Sequence, residues 1–246
     1  MTPWPPLVVA IGLGCAGVAG LATLIPSPSE HVGLMMRDGA LIQAGIVNER
    51  LLAARPSSPV LLYHAYLLRS DAGDIDGATR AAERLAAVSG GEIEALRVLA
   101  EHYFHIGEME KRLDVFLSAD PGELTDDERE KLVGGLRYAA RYAEERGVLA
   151  RLADAGLLSV AQSGRLGMLL AATDDRKSAI PHLSAFDDST TVPAIHERLT
   201  LLHLLLEQDR TDEARQRAGR WHILWDDPQV SMAMTDAFEE AGQTWP

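Results

Sequence analysis

Three glycines set the frame of this chain. Gly39, Gly73 and Gly107 are evenly spaced, each about 34 residues after the last, in text that otherwise reads as helix. Each is followed five residues later by one residue of a second helix: Ala44, Ala78 and Arg112. A fixed period of this length belongs to chains built by stacking one supersecondary unit. Glycine ends a helix cheaply because it adopts the left-handed backbone that other residues resist. A small residue on the next helix lets the two helices approach closely. The implied unit is therefore helix, tight turn, helix.

Aligned on the same two positions, further copies fall at Gly147/Leu152, Asp174/Ala179 and Asp209/Ala214. The last interval matches the first two to within one position. The interval to Gly147 is six longer and the next is seven shorter, so the centre of the array is expected to be irregular. Arg112 and Leu152 depart from the small-residue pattern, which predicts splayed pairs there. Between the turns, apolar residues recur at helical spacing: Leu61, Leu62, Ala65 and Leu68, then Leu96, Leu99, Ala100 and Tyr103. Prolines 56, 59, 121, 193 and 228 fall between helices. Thr125 is an N-cap followed by acids, which suit the helix dipole. Pro181 lies where a second helix is expected and should kink it or delay its start. Residues 229–240 read as a final helix closing the array.

The stretches HAYLLRSDAGDIDGATRAAERL, LRVLAEHYFHIGEMEKRLDVFLSADP and RLTLLHLLLEQDRTDEARQRAGRW resemble the tetratricopeptide repeat (TPR), as does IVNERLLAARPSSP ahead of Pro56. The resemblance implies an all-α fold, a TPR-like right-handed α-solenoid of about six helix pairs over residues 29–228. A capping helix and tail would occupy 229–246. It also implies a groove lined by the first helix of each pair, and a role in holding a partner protein or peptide rather than in catalysis. The family's groove-facing positions fall on Arg97, Glu101 and His105 in the third repeat. In the fourth they fall on Arg137, Arg141 and Glu144, with each trio on one helix face. Three arginines there would make a local positive site for an acidic peptide or a carboxylate, which Arg grips with two hydrogen bonds. The family's clamp of Lys and Asn is absent, so a chaperone-tail ligand is not implied.

Residues 1–28 form a separate segment. Leu7 to Ile25 is an unbroken uncharged run, long enough as a helix to match a bilayer core. Pro26 and Pro28 end it, and Ser29 is placed to cap the next helix. The run reads as one transmembrane anchor. A cleaved signal peptide and a lipoprotein signal at Cys15, the only cysteine, stay open as alternatives. Little chain precedes the run, which favours a single-pass protein of the cell membrane with its repeats on the extracytoplasmic side. Arg outnumbers Lys 20 to 3, which hints at a GC-rich bacterial genome.

A formal net charge of −13 argues against nucleic-acid binding. No cofactor motif appears: there is no phosphate loop, nucleophile elbow or HExxH, and DAGDIDG lacks calcium-loop ligands at the required positions. His102 with His105, and His196 with His203, share helix faces but bring no third ligand, so no metal site is expected. Trp221 and Trp225, at i and i+4, are either terminal core or an aromatic docking patch. The reading is a membrane-tethered interaction scaffold of a bacterial envelope complex, for example in polysaccharide export or envelope assembly, and not an enzyme. Its rivals are a small-ligand binder or metal-dependent enzyme on a helical body, and a purely structural spacer.

Overall fold

A computed structural model describes residues 26–173, 175–190, 194–224 and 228–244. The apolar run from Leu7 to Ile25 lies outside them, as do Asp174 and Trp225. Among the described residues no helix is long and apolar enough to cross a membrane. Those residues form thirteen α-helices and no strand, in two compact units, one ending at Ala119 and the other beginning at Asp120.

The first unit holds three antiparallel pairs: α1 (Pro28–Arg37) with α2 (Leu41–Ala54), α3 (Pro59–Asp71) with α4 (Ile75–Val88), and α5 (Ile93–His105) with α6 (Met109–Ser118). The second holds α7 (Asp126–Tyr138) with α8 (Tyr142–Asp154), α9 (Val160–Ala171) with α10 (Arg176–Ser189), and α11 (Ile195–Glu207) with α12 (Thr211–Leu224), then α13 (Pro228–Glu240).

The turns are built as the glycine spacing requires. Gly39, Gly73 and Gly107 have φ of 79°, 72° and 78°. At each, the residue after the glycine donates to a carbonyl five back, as Asp74 does to Arg69 at 2.9 Å. That bond closes the left-handed C-cap. Asp209, read as a turn residue, does the same without being glycine, at φ 57°.

The middle of the array is more regular than the sequence alignment gives. The fourth turn is at Ala140, with φ 56°, and Arg141 donates to the Leu136 carbonyl at 2.9 Å. Gly147 lies inside α8. Alignment on the nearest glycine slips by seven positions. That is close to two helical turns, so the apolar pattern looks the same after the slip. With Ala140 in place the interval from Gly107 is one short of the period, and two more repeats reach Asp209.

Two helix starts also differ from expectation. Ser27, not Ser29, caps α1, in a capping box with Glu30, and Pro28 begins the helix rather than breaking it. Helix α10 starts at Arg176 and runs through Pro181, so the proline does not delay it. Thr125 caps α7 as read, in a box with Glu128.

Small residues set the packing within pairs. Ala44, Ala78, Ala179 and Ala214 are each at most 1% exposed. A close approach joins α9 to α10, where a Cβ on Gly167 would stand 2.6 Å from Leu183 Cγ and 3.1 Å from its backbone nitrogen. Leu52, Leu61, Leu62, Ala65, Ala81 and Leu85 centre the core of the first unit. In the second, Leu201, Leu202 and Leu205 of α11 pack with Trp221 and with Met234 and Phe238 of α13. Burying each such large side chain contributes about 1.5–3 kcal/mol.

Candidate functional site

The corrected register gives the fourth repeat an unusual residue. Five positions after Ala140, where most other repeats carry Ala, stands Glu145, with no exposure. It occupies the first turn of α8, where the helix dipole favours a carboxylate. Two guanidiniums meet it. Arg165 of α9 donates through Nε to Oε1 at 2.8 Å and through Nη2 to Oε2 at 2.7 Å. Arg137 of α7 donates through Nε to Oε1 at 3.1 Å. Burial pushes the Glu145 carboxyl up, but the hydrogen bonds and charges of Arg165 and Arg137 outweigh it and hold the group below the usual carboxylate range. The Arg165 guanidinium also stacks on the Tyr142 ring, 5.6 Å from its centroid.

Arg137 and Arg165 face a concavity of about 840 Å³ within the second unit, with Glu145 buried behind them. Its walls include Arg129, Glu130, Val133, Gly134 and Arg137 of α7, Arg165 and Met168 of α9, and Glu197 of α11. All three are first helices of their pairs. Arg129 is occupied by Asp126 and by the carbonyls of Pro121 and Leu124. Arg137 and Arg165 share one carboxylate, which leaves a surplus of one positive charge, and the Arg137 side chain is 50% exposed. The arrangement can hold an anion against Arg137, with Glu130 and Glu197 on other walls.

The predicted groove residues divide. Arg97, Glu101 and His105 all lie on α5, as expected; Arg97 stands 3.7 Å from Glu94 and His105 3.5 Å from Glu101. Arg137 lies on α7 and lines the concavity. Arg141 and Glu144 do not share its helix: Arg141 is the N-cap residue of α8, and its Nε donates to Glu144 in the first turn of α8 at 3.0 Å. The register slip put them on α7. Measured from Ala140, the offsets that gave Arg97, Glu101 and His105 give Glu130, Gly134 and Tyr138. Of these, Glu130 and Gly134 line the concavity and Tyr138 is 96% exposed. Glu145 and Arg165 were missed. A step of one period from Gly107 that ignored residue type would have landed within one position of Ala140 and put a charged residue, Glu145 or Arg146, at the small position.

Trp221 is no docking residue. It is 2% exposed, and its Nε1 donates to Asp187 Oδ1 at 2.8 Å. Asp187 is itself buried and also accepts from Arg198 at 2.6 Å, Arg217 at 2.8 Å and Arg220 at 2.9 Å. This network ties α10 to α11 and α12. Its polar groups engage one another, which fits structure better than ligand binding.

His102 is likewise structural. Its Nε2 meets Thr79 Oγ1 at 2.7 Å, and that hydroxyl already donates to the Ile75 carbonyl, so the imidazole is the donor. Burial, with His105 nearby, lowers its pKa. The adjacent Tyr103 hydroxyl is pushed up to about 12 by burial and by its bond to Glu83. Among the described residues no three His, Cys, Asp or Glu side chains are grouped to hold a metal.

Three antiparallel helix pairs in each unit, with left-handed turns at Gly39, Gly73, Gly107, Ala140 and Asp209, define a helical-repeat protein. More specifically, the fold is an all-α, TPR-like array of helix pairs. No protein-family model and no curated protein matches the sequence. Among solved structures, Naa15/Naa10 bound to HypK-THB aligns with a TM-score of 0.52 at 13% identity, over 87% of this chain. The present chain spans 34% of that one, and the likeness is one of fold alone. YrrB, a TPR protein with an unusual peptide-binding site, aligns at 0.41 and 11% identity, over 75% of this chain and 95% of its own. MamA AMB-1 aligns at 0.40 and 16%, over 67% and 92%.

Proposed function

We propose that this chain is a protein–protein interaction scaffold of a bacterial envelope complex, tethered to the cell membrane through residues 7–25, with its repeats on the extracytoplasmic side. The observation that carries the binding role is the concavity of the second unit, where Arg137 and Arg165 share the one buried carboxylate of Glu145. The one positive charge that Arg137 and Arg165 keep beyond Glu145 suits a carboxylate on a partner segment. Glu130 and Glu197 on the other walls favour a basic neighbour on that segment. The partner element is therefore one acid in a mixed-charge stretch rather than a polyacidic tail. The apolar run, uncharged throughout, supports the tether.

The test is capture of partners from solubilised membranes by the full chain, by Arg97→Glu and by Arg137→Gln. Arg137→Glu is avoided because it would set a second carboxylate against Glu145. Capture should fall several-fold with Arg137→Gln, weaken with salt, and survive Arg97→Glu, while melting changes little because Arg165 still holds Glu145. Undiminished capture by Arg137→Gln refutes the assignment.

A further inference from the structure

The first unit carries a second concavity of quite different character. It measures about 790 Å³ and lies along α2 and α3, with Leu41, Ile42, Gly45 and Ile46 on one wall and Leu68 and Ala72 on the other. Ile42 is 83% exposed and Ile46 51%, and the two are one helical turn apart. Between them Gly45 sits inside α2 with open space where a Cβ would be. Glycine there costs the helix about 1 kcal/mol relative to alanine, and no described residue packs over it.

Two polar features mark the same groove. Asn48, 1% exposed, lines it. Its Nδ2 donates to the Leu61 carbonyl at 3.1 Å, which fixes the amide orientation, and its Oδ1 has no hydrogen-bond partner among the described residues. A buried acceptor left unmet costs about 1–3 kcal/mol. At the turn end of the groove stand Asp71 and Asp74, with Asp76 two residues further on in α4. Asp74 caps α4 through Oδ1, and Arg69 beside it is already held by Glu49 and the Gly77 carbonyl. Arg50, also on the walls, is two turns along α2 from Ile42. The groove is thus apolar along its length, short of one donor in its floor, and acidic at one end.

We infer that this groove is a docking site for an apolar segment of another protein bearing a basic residue at one end, with Asp71 and Asp74 taking the cation. Charge selects this occupant. The chain's own apolar run from Leu7 to Ile25 holds no cation to meet the aspartates. The inference goes beyond the proposed function, since it concerns the other unit and the opposite charge. The chain would then carry one surface for an acid and another for an apolar, basic-ended segment.

The test uses two labelled amphipathic peptides, each four helical turns long with the same Leu/Ile face, one ending in Lys-Lys and one in Glu-Glu. Anisotropy is read against the full chain in lipid nanodiscs, with empty discs subtracted. The basic-ended peptide should bind at least ten-fold tighter at low salt, and Asp71→Asn should narrow that preference. Gly45→Leu puts a side chain into the groove from a position where its Cβ meets nothing, and raises helix propensity, so it should melt no lower than the natural chain yet lose the peptide. Arg137→Gln should bind it normally, which separates this surface from the second unit's. Equal binding of both peptides, no binding above empty discs, or full binding by Gly45→Leu overturns the inference. A dimer in sedimentation that Ile42→Glu dissociates would also overturn it, by making a second copy the occupant.

Discussion

Replacing Glu145 by Gln removes the charge that Arg137 and Arg165 share while keeping nearly the same shape. Glu145 is fully buried and accepts three hydrogen bonds. Removing one partner of a buried ion pair typically costs about 3–5 kcal/mol. Here the Arg165 side chain is 27% exposed and that of Arg137 50%, so both guanidiniums can recover water, and the loss is discounted to about 2–3 kcal/mol. For a unit of this size that is a melting drop on the order of 10 °C. The pH dependence gives a second reading. The folded pKa of Glu145 is depressed. Its contribution is therefore fully present above the unfolded value of about 4.3 and is lost as pH falls through the folded one. Urea unfolding followed by tryptophan fluorescence reports this unit, because Trp221 is buried in it. The natural chain should lose stability from about pH 5 downward, and Glu145→Gln should be weaker at neutral pH and flatter across the acid limb. A loss under about 0.5 kcal/mol at pH 7, or parallel acid limbs, would refute the account of the pair.

The register itself can be tested with two substitutions: Ala140→Gly should raise stability by up to about 1 kcal/mol by relieving a left-handed alanine, and Gly147→Ala should raise it similarly inside a helix, whereas a turn at Gly147 would make the second destabilising. Gly167→Ala should cost about 1–3 kcal/mol in the same urea assay, because its Cβ would meet Leu183. In an ultraviolet titration Tyr103 should ionise at about 12, and Tyr103→Phe should remove that step.

The helix pairs were legible because their punctuation is local. A glycine with φ above 70° leaves its mark in one residue, and Thr125 with Glu128 spells a capping box. The fourth turn was not legible because Ala140 bears a strain that only the folded array imposes, and the seven-position slip to Gly147 preserved helical phase. That slip carried the site with it. Arg137 lies on a first helix in either register; Arg141 and Glu144 were placed on that helix but fall at the start of the next; Glu145 and Arg165 were not named. A buried glutamate reads as surface in a sequence, and only the arginines from two neighbouring repeats show otherwise. Trp221 likewise reads as either core or patch until Asp187 is seen to hold its indole nitrogen.

The central claim, that the second unit's concavity holds the partner, is tested most directly by photo-crosslinking in living cells. A photoreactive residue replaces Ala161, which is exposed and lines the concavity, and in a control replaces Glu239, exposed on α13. The account predicts one dominant protein crosslinked at 161, absent at 239, and strongly reduced when Arg137→Gln is added. Equal labelling at both positions, or a crosslink at 161 that survives Arg137→Gln undiminished, would contradict it.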